Sequence, residues 1–169
     1  METNTKKMKK EIVNQIHSSL LIVKEAIESI DDSEDIEKMI STLEEVSKQT
    51  LNSFHRLRKL LFAIQSGEWL NKNVKPEWKV SWNYFHYQHK DSNTPDIKGV
   101  SGRKTVACAF VSISEKPVGV VDKRISNNLW KLSQMKGELY YFVRSDQMKK
   151  RAESKISKSK YQIKVVILK

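Results

Sequence analysis

The residues with the most chemistry to offer lie between Glu77 and Asp96, where Trp78, Trp82, Tyr84, Phe85 and Tyr87 are interleaved with His86, His89 and the Pro95-Asp96 pair. His86-x-x-His89 has the residue types of a zinc site. On a strand, however, residues three apart face opposite sides and do not converge on one ion. The chain has one cysteine, Cys108, and no helical H-E-x-x-H, so neither a metal site nor a cofactor is expected. Pro95-Asp96 and Glu153-Ser-Lys155 carry the side chains of a nuclease's carboxylate and E-x-K set, but the second falls in a polar segment far along the chain. G-x-S-x-G, P-loop and G-x-G-x-x-G patterns are absent. No catalytic residue, small-molecule substrate or enzymatic activity is therefore expected.

The chemistry that remains is that of rings beside cations. Aromatic side chains stack on bases while lysines meet phosphates, the combination single-stranded nucleic acid needs. Trp78, Val80 and Trp82 alternate with Lys79, Ser81 and Asn83, the period of a strand with one covered face. The tryptophans are expected to fill a core. Lys79 and, beyond a β-bulge at Tyr84-Phe85, the rings of Phe85 and Tyr87 are expected on the binding side. Two further basic segments join them. The loop Lys90–Lys104 offers Lys98, Arg103 and Lys104 beside two glycines whose amides suit phosphate, although an ordinary hairpin loop has the same composition. The run from Met148 to Lys160 offers Lys149, Lys150, Arg151 and Lys155, residues that are also common on a solvated surface.

Charge is divided along the chain. Of 31 lysines and arginines and 20 acids, residues 1–67 hold 10 and 11, which leaves 21 and 9 for residues 68–169, a balance of −1 against +12. All three prolines, five glycines, four tryptophans and five tyrosines also follow Ser66. Two modules are implied, 1–67 and 68–169, with different work. A pI near 9.6 favours a polyanionic partner, nucleic acid first and an acidic membrane surface second.

The elements that must position these residues read as α+β. In the first module Ile12, Ile16, Leu20, Val23, Ile27 and Ile30 lay one stripe along a helix. A second helix carries Ile36, Met39, Leu43, Val46, Thr50, Ser53, Leu57, Leu60 and Ile64, widened by Ile40, Phe54 and Leu61, and is expected to end at Ser66-Gly67. It is longer than the first, so part of its stripe is left for the second module or another subunit. Ile36, Leu43, Leu57 and Ile64 are the expected self-association residues of a helical hairpin or coiled coil, and a homo-oligomer is expected.

The second module reads as a mostly antiparallel sheet with one or two short helices. Strands are expected from Trp78 and over 104–114, 138–144 and 161–169, with a short fifth at Pro117–Val121. One helix is expected to begin at Asp122 and stop at Gly137, and a weaker one to carry Met148, Ala152 and Ile156. The segment Lys104–Ser114 is apolar on both faces and is expected at the centre. Cys108 lies within it and reads as a small core residue, and a lone cysteine suits a reducing compartment. The basic N-terminus lacks the apolar core of a signal peptide, and no segment is apolar over the roughly 18 residues a bilayer requires. A cytoplasmic protein is expected, with Lys149-Lys150-Arg151 as a run of the kind that serves nuclear entry.

The function expected from these residues is non-catalytic binding of RNA or single-stranded DNA by a chain that self-associates through its N-terminal helices. Two alternatives carry less of the sequence. One is a small basic matrix-like or assembly protein of viral type bridging an acidic membrane surface or a nucleoprotein. The other is an inhibitor or adaptor acting through the helical hairpin.

Overall fold

The computed structural model describes residues 2–28, 36–74, 80–84 and 94–168, with helix side chains given from Lys6 in the first helix and Met39 in the second. Lys79, Phe85, Tyr87, His86, His89 and Trp78 lie outside the described residues, as does the bulge expected after Tyr84. The chain forms two compact units, Met1–Leu61 and Phe62–Lys169. No helix among the described residues is long and apolar enough to cross a membrane.

The first unit holds α1 (Glu2–Glu28) and the first part of α2 (Ile36–Asn73). The seven residues joining the helices reach at most about 25 Å, whereas α1 is roughly 40 Å long. Helices that share one groove within one unit must therefore run in opposite directions. The covered positions differ from the expected stripe. On α1 they are Met8, Ile12, Gln15, Ile16, Ser19, Val23 and Ala26, while Leu20 and Ile27 are exposed.

The α2 helix does not stop at Gly67 but continues to Asn73. Gly67 is explained by space. A Cβ there would lie 2.7 Å from ring carbons of Tyr84, so the missing side chain admits the tyrosine against the helix. Ser66 tolerates the buried helix interior because its hydroxyl donates to the Phe62 carbonyl at 2.8 Å.

The second unit is built on a five-stranded sheet in the order β1-β2-β3-β4-β5. Strands β1 (Ser81–Tyr84), β2 (Ile97–Ser101) and β3 (Lys104–Ser112) form an antiparallel meander. Strands β4 (Glu138–Val143) and β5 (Lys164–Ile167) then join by parallel pairing, reached through α3 (Val120–Ser133) and α4 (Asp146–Ser159). Two differences from expectation stand out. The loop before Lys104 contains β2, closed by a two-residue turn in which Gly102 (φ 60°) supplies the positive φ such hairpins need. Pro117–Val121 is not a strand, and Val120 and Val121 open α3.

Helices pack on both faces of the sheet, α2 on one, and α3 with α4 over β3–β5 on the other. Ala107, Ala109 and Val111 of β3 join Phe62, Ala63 and Leu70 of α2, Trp82, Tyr140 and Phe142 on one side. Cys108 and Phe110 join Ile125, Leu129 and Leu132 of α3, Met148 and Ala152 of α4, and Tyr141 on the other. The apolar character of β3 on both faces is thus what a central strand between two helix layers requires. Trp82 is buried as expected, and its indole N–H donates to Asn71 Oδ1 at 3.3 Å. Trp69 meets Tyr140 and Phe142 edge to face, with centroids 6.0 and 5.6 Å apart. The α3–α4 layer reaches β3, β4 and β5 but not β1, where Ser81 and Asn83, on the face opposite Trp82, are exposed.

Candidate nucleic-acid interface

Connectivity places the charges of the second unit at two edges of the sheet. Parallel strands β3, β4 and β5 start at one edge, and the helices between them return to it, so the starts of the strands and the ends of α3 and α4 share that edge. Arg103 and Lys104 occupy the β2–β3 turn there. Lys131 is in the last turn of α3, and Lys136 precedes β4. Lys158 is in the last turn of α4, Lys160 caps it, and Lys164 opens β5. The segments are adjacent: a Cβ on Gly137 would lie 2.6 Å from the Val106 carbonyl, and Tyr140 pairs with Lys164. Strands about 4.8 Å apart hold them side by side.

The acid at this edge, Glu138, is engaged. It accepts from Lys164 Nζ at 3.2 Å and from the Tyr140 hydroxyl. Arg103, Lys104, Lys136, Lys158 and Lys160 are all exposed. Part of this placement is local helix physics, since cations at helix C-termini are favoured by the dipole. The dipole does not account for Arg103, Lys104 or Lys136, which lie outside the helices.

The opposite edge is mixed in sign, with Asp96, Glu115, Asp122 and Asp146 beside Arg144 and the exposed Lys116, Lys123 and Arg124. Asp122, in the first turn of α3, accepts from Arg151 Nε at 2.7 Å, Arg151 Nη2 at 3.0 Å and Lys155 Nζ at 3.1 Å. Lys155 also donates to Ser126 Oγ at 2.8 Å. Arg151 foremost, then Lys155, hold the Asp122 carboxyl far below the usual carboxylate range, and the Arg151 guanidinium is raised in return. Lys149 pairs with Glu153 at 3.7 Å. Of the run expected to bind along α4, Lys149, Arg151 and Lys155 are thus engaged within the protein, and Lys150 is exposed. Lys98 is half-buried on β2, opposite Cys108, whose thiol is pushed up by burial and drawn back somewhat by that lysine.

The carboxylate of Pro95-Asp96 accepts the Val111 backbone N–H at 2.8 Å. Glu153 and Lys155 are committed to Lys149 and Asp122 as described. Among the described residues no group of three or more His, Cys, Asp or Glu is placed to hold a metal ion.

One ring was missed in the sequence. Trp130 is 54% exposed on α3, because Ile125, Leu129 and Leu132 take the inner face and leave Lys123, Asn127, Trp130 and Gln134 outside at helical spacing. The signal was present in the helical period. Trp130 lies beside Lys131, toward the basic edge. Of the expected self-association residues, Leu57 and Ile64 are buried, Leu43 is exposed, and the Ile36 side chain lies outside the described residues.

No family model matches the sequence, and no curated protein and no solved structure matches it.

Proposed function

We propose that the chain is a non-catalytic nucleic-acid-binding protein that holds single-stranded RNA or DNA along the basic edge of its second unit. The observation that carries this reading is the convergence of Arg103, Lys104, Lys131, Lys136, Lys158 and Lys160 on one edge, next to the exposed ring of Trp130, where Glu138 is already engaged by Lys164, while the other edge mixes acids with bases. Cations there track phosphates, and the indole supplies a sequence-tolerant stacking platform. Contacts of this kind favour salt-dependent binding with weak sequence preference.

An acidic membrane surface is the second reading. Lipid interfaces need basic and apolar groups on one side, and Val118 and Val120, the most exposed aliphatic side chains of the second unit, stand beside the exposed Lys116, Lys123 and Arg124 at the opposite edge. Anisotropy titrations against single-stranded RNA, single-stranded DNA and duplex, with acidic liposomes as competitor, test the reading. Tightest binding to a single strand supports it. Preference for liposomes, or no binding at low salt, rejects it.

A further inference from the structure

The first unit carries two apolar stripes and covers only one. On α2 the more covered positions are Met39, Thr42, Val46, Thr50, Ser53 and Leu57, a seam that uses three hydroxyl residues although larger apolar side chains stand beside it. The second stripe is open. Val13, Leu20 and Ile27 step by sevens along α1 at 49%, 53% and 59% exposure, and Ile40, Ser47 and Phe54 step by sevens along α2. Between them lies an apolar groove of 380 Å³, its walls including Ala26, Ile27, Leu43, Val46, Leu51 and Phe54. Monomers rarely leave so continuous an apolar surface to water, and a stripe of period seven is what a facing helix covers.

Charge identifies the occupant. Residues 25–37, around the hairpin turn, hold seven acids and no base. At the other end Lys6, Lys7, Lys9 and Lys10 of α1 and Arg56, Arg58 and Lys59 of α2 supply seven bases. The two basic clusters fall together because each lies some 20 residues, about 30 Å of helix, from the turn. The hairpin therefore has opposite poles and is complementary to itself only when reversed.

We propose that a second copy of this chain covers the open stripe, the two hairpins packing in opposite directions as a four-helix bundle about a two-fold axis. That axis makes α1 face its own counterpart and α2 likewise, so Leu20 and Ser47 meet themselves, Val13 meets Ile27 and Ile40 meets Phe54. It also sets the basic end of each hairpin against the acidic turn of the other. The same-direction dimer would oppose seven acids to seven acids. The inference does not depend on nucleic-acid binding.

The test is cross-linking of full-length chains, with the wild type as control because Cys108 is buried. Chains with Ile40→Cys and chains with Phe54→Cys, mixed and treated with a short bismaleimide, should give mainly mixed dimers, and Ser47→Cys alone should give homodimers. Leu20→Glu, at an exposed position, should convert the dimer to a monomer in sedimentation while leaving the helical circular dichroism unchanged. A wild-type monomer at tens of micromolar would overturn the dimer, and Ile40→Cys homodimers in place of mixed ones would overturn its direction.

Discussion

Two tryptophans show how burial divides structural from binding work at the residue scale. Trp82 is 3% exposed within the core, so Trp82→Ala should cost about 3 to 5 kcal/mol of stability through the cavity it leaves. Trp130 is half-exposed on α3, so Trp130→Ala should barely move the urea midpoint yet weaken single-strand binding by about 1 to 3 kcal/mol. If the second variant keeps full affinity, the indole is not a stacking ring. Asp122 makes a different prediction. Its carboxyl is lowered in the folded protein, so its contribution is present above the ordinary carboxylate value of about 3.9 and is lost as pH falls through the folded value. Asp122→Asn should lower the melting temperature by a constant amount from neutral pH down to about 5, the gap closing in stronger acid. Because Asp122, Arg151 and Lys155 lie away from the basic edge, the same variant should leave nucleic-acid affinity near that of the wild type. A clear gain would move the contact to Arg151 and Lys155.

At the scale of elements, legibility followed the strength of local pattern. Lys104–Ser112 was readable as central because both of its faces are apolar, and α3 and α4 because Ile125, Leu129, Leu132, Met148 and Ala152 hold helical spacing. β2 was not readable, since Ile97–Ser101 contains a lysine and a glycine and has only five residues. Its strand character comes from the partners on either side. Gly67 was misread as a helix cap because a glycine needed for close approach and one needed for a left-handed turn look alike in sequence. Gly67→Ala settles which it is. A cap-free helix interior should gain about 1 kcal/mol from the change, but the added methyl meets the Tyr84 ring, and overpacking of that sort costs roughly 1 to 3 kcal/mol. A net loss of stability in urea melts is expected, and a gain would show that the ring moves aside freely. On α1 the apolar period was read correctly, but period alone does not say which of two adjacent stripes faces the neighbouring helix. Ser19 and Ala26 took the covered side, and Leu20 and Ile27 were left in solvent.

For the whole molecule, the division of charge was legible as a number before its geometry was known. A balance of −1 and +12 predicted two modules and a polyanionic partner, with contacts expected on a strand face, in the loop before Lys104 and along the Met148–Lys160 run. Arg103 and Lys104 of that loop lie at an edge assembled from three separate segments, the β2–β3 turn and the ends of α3 and α4. No local pattern announces such a site, because it exists only once parallel pairing has brought those segments together. The rings first singled out in the sequence, Phe85 and Tyr87, lie outside the described residues, so Trp130 carries the stacking prediction. The most direct measurement is the salt dependence of binding to a single-stranded oligonucleotide for the wild type and for the triple variant Lys104→Ala, Lys136→Ala, Lys158→Ala. About four phosphate contacts give a log–log slope near 3, and each lysine lost should reduce it by about 0.7, with affinity falling in step. An unchanged slope and affinity in the triple variant would contradict the assignment of the basic edge as the nucleic-acid interface.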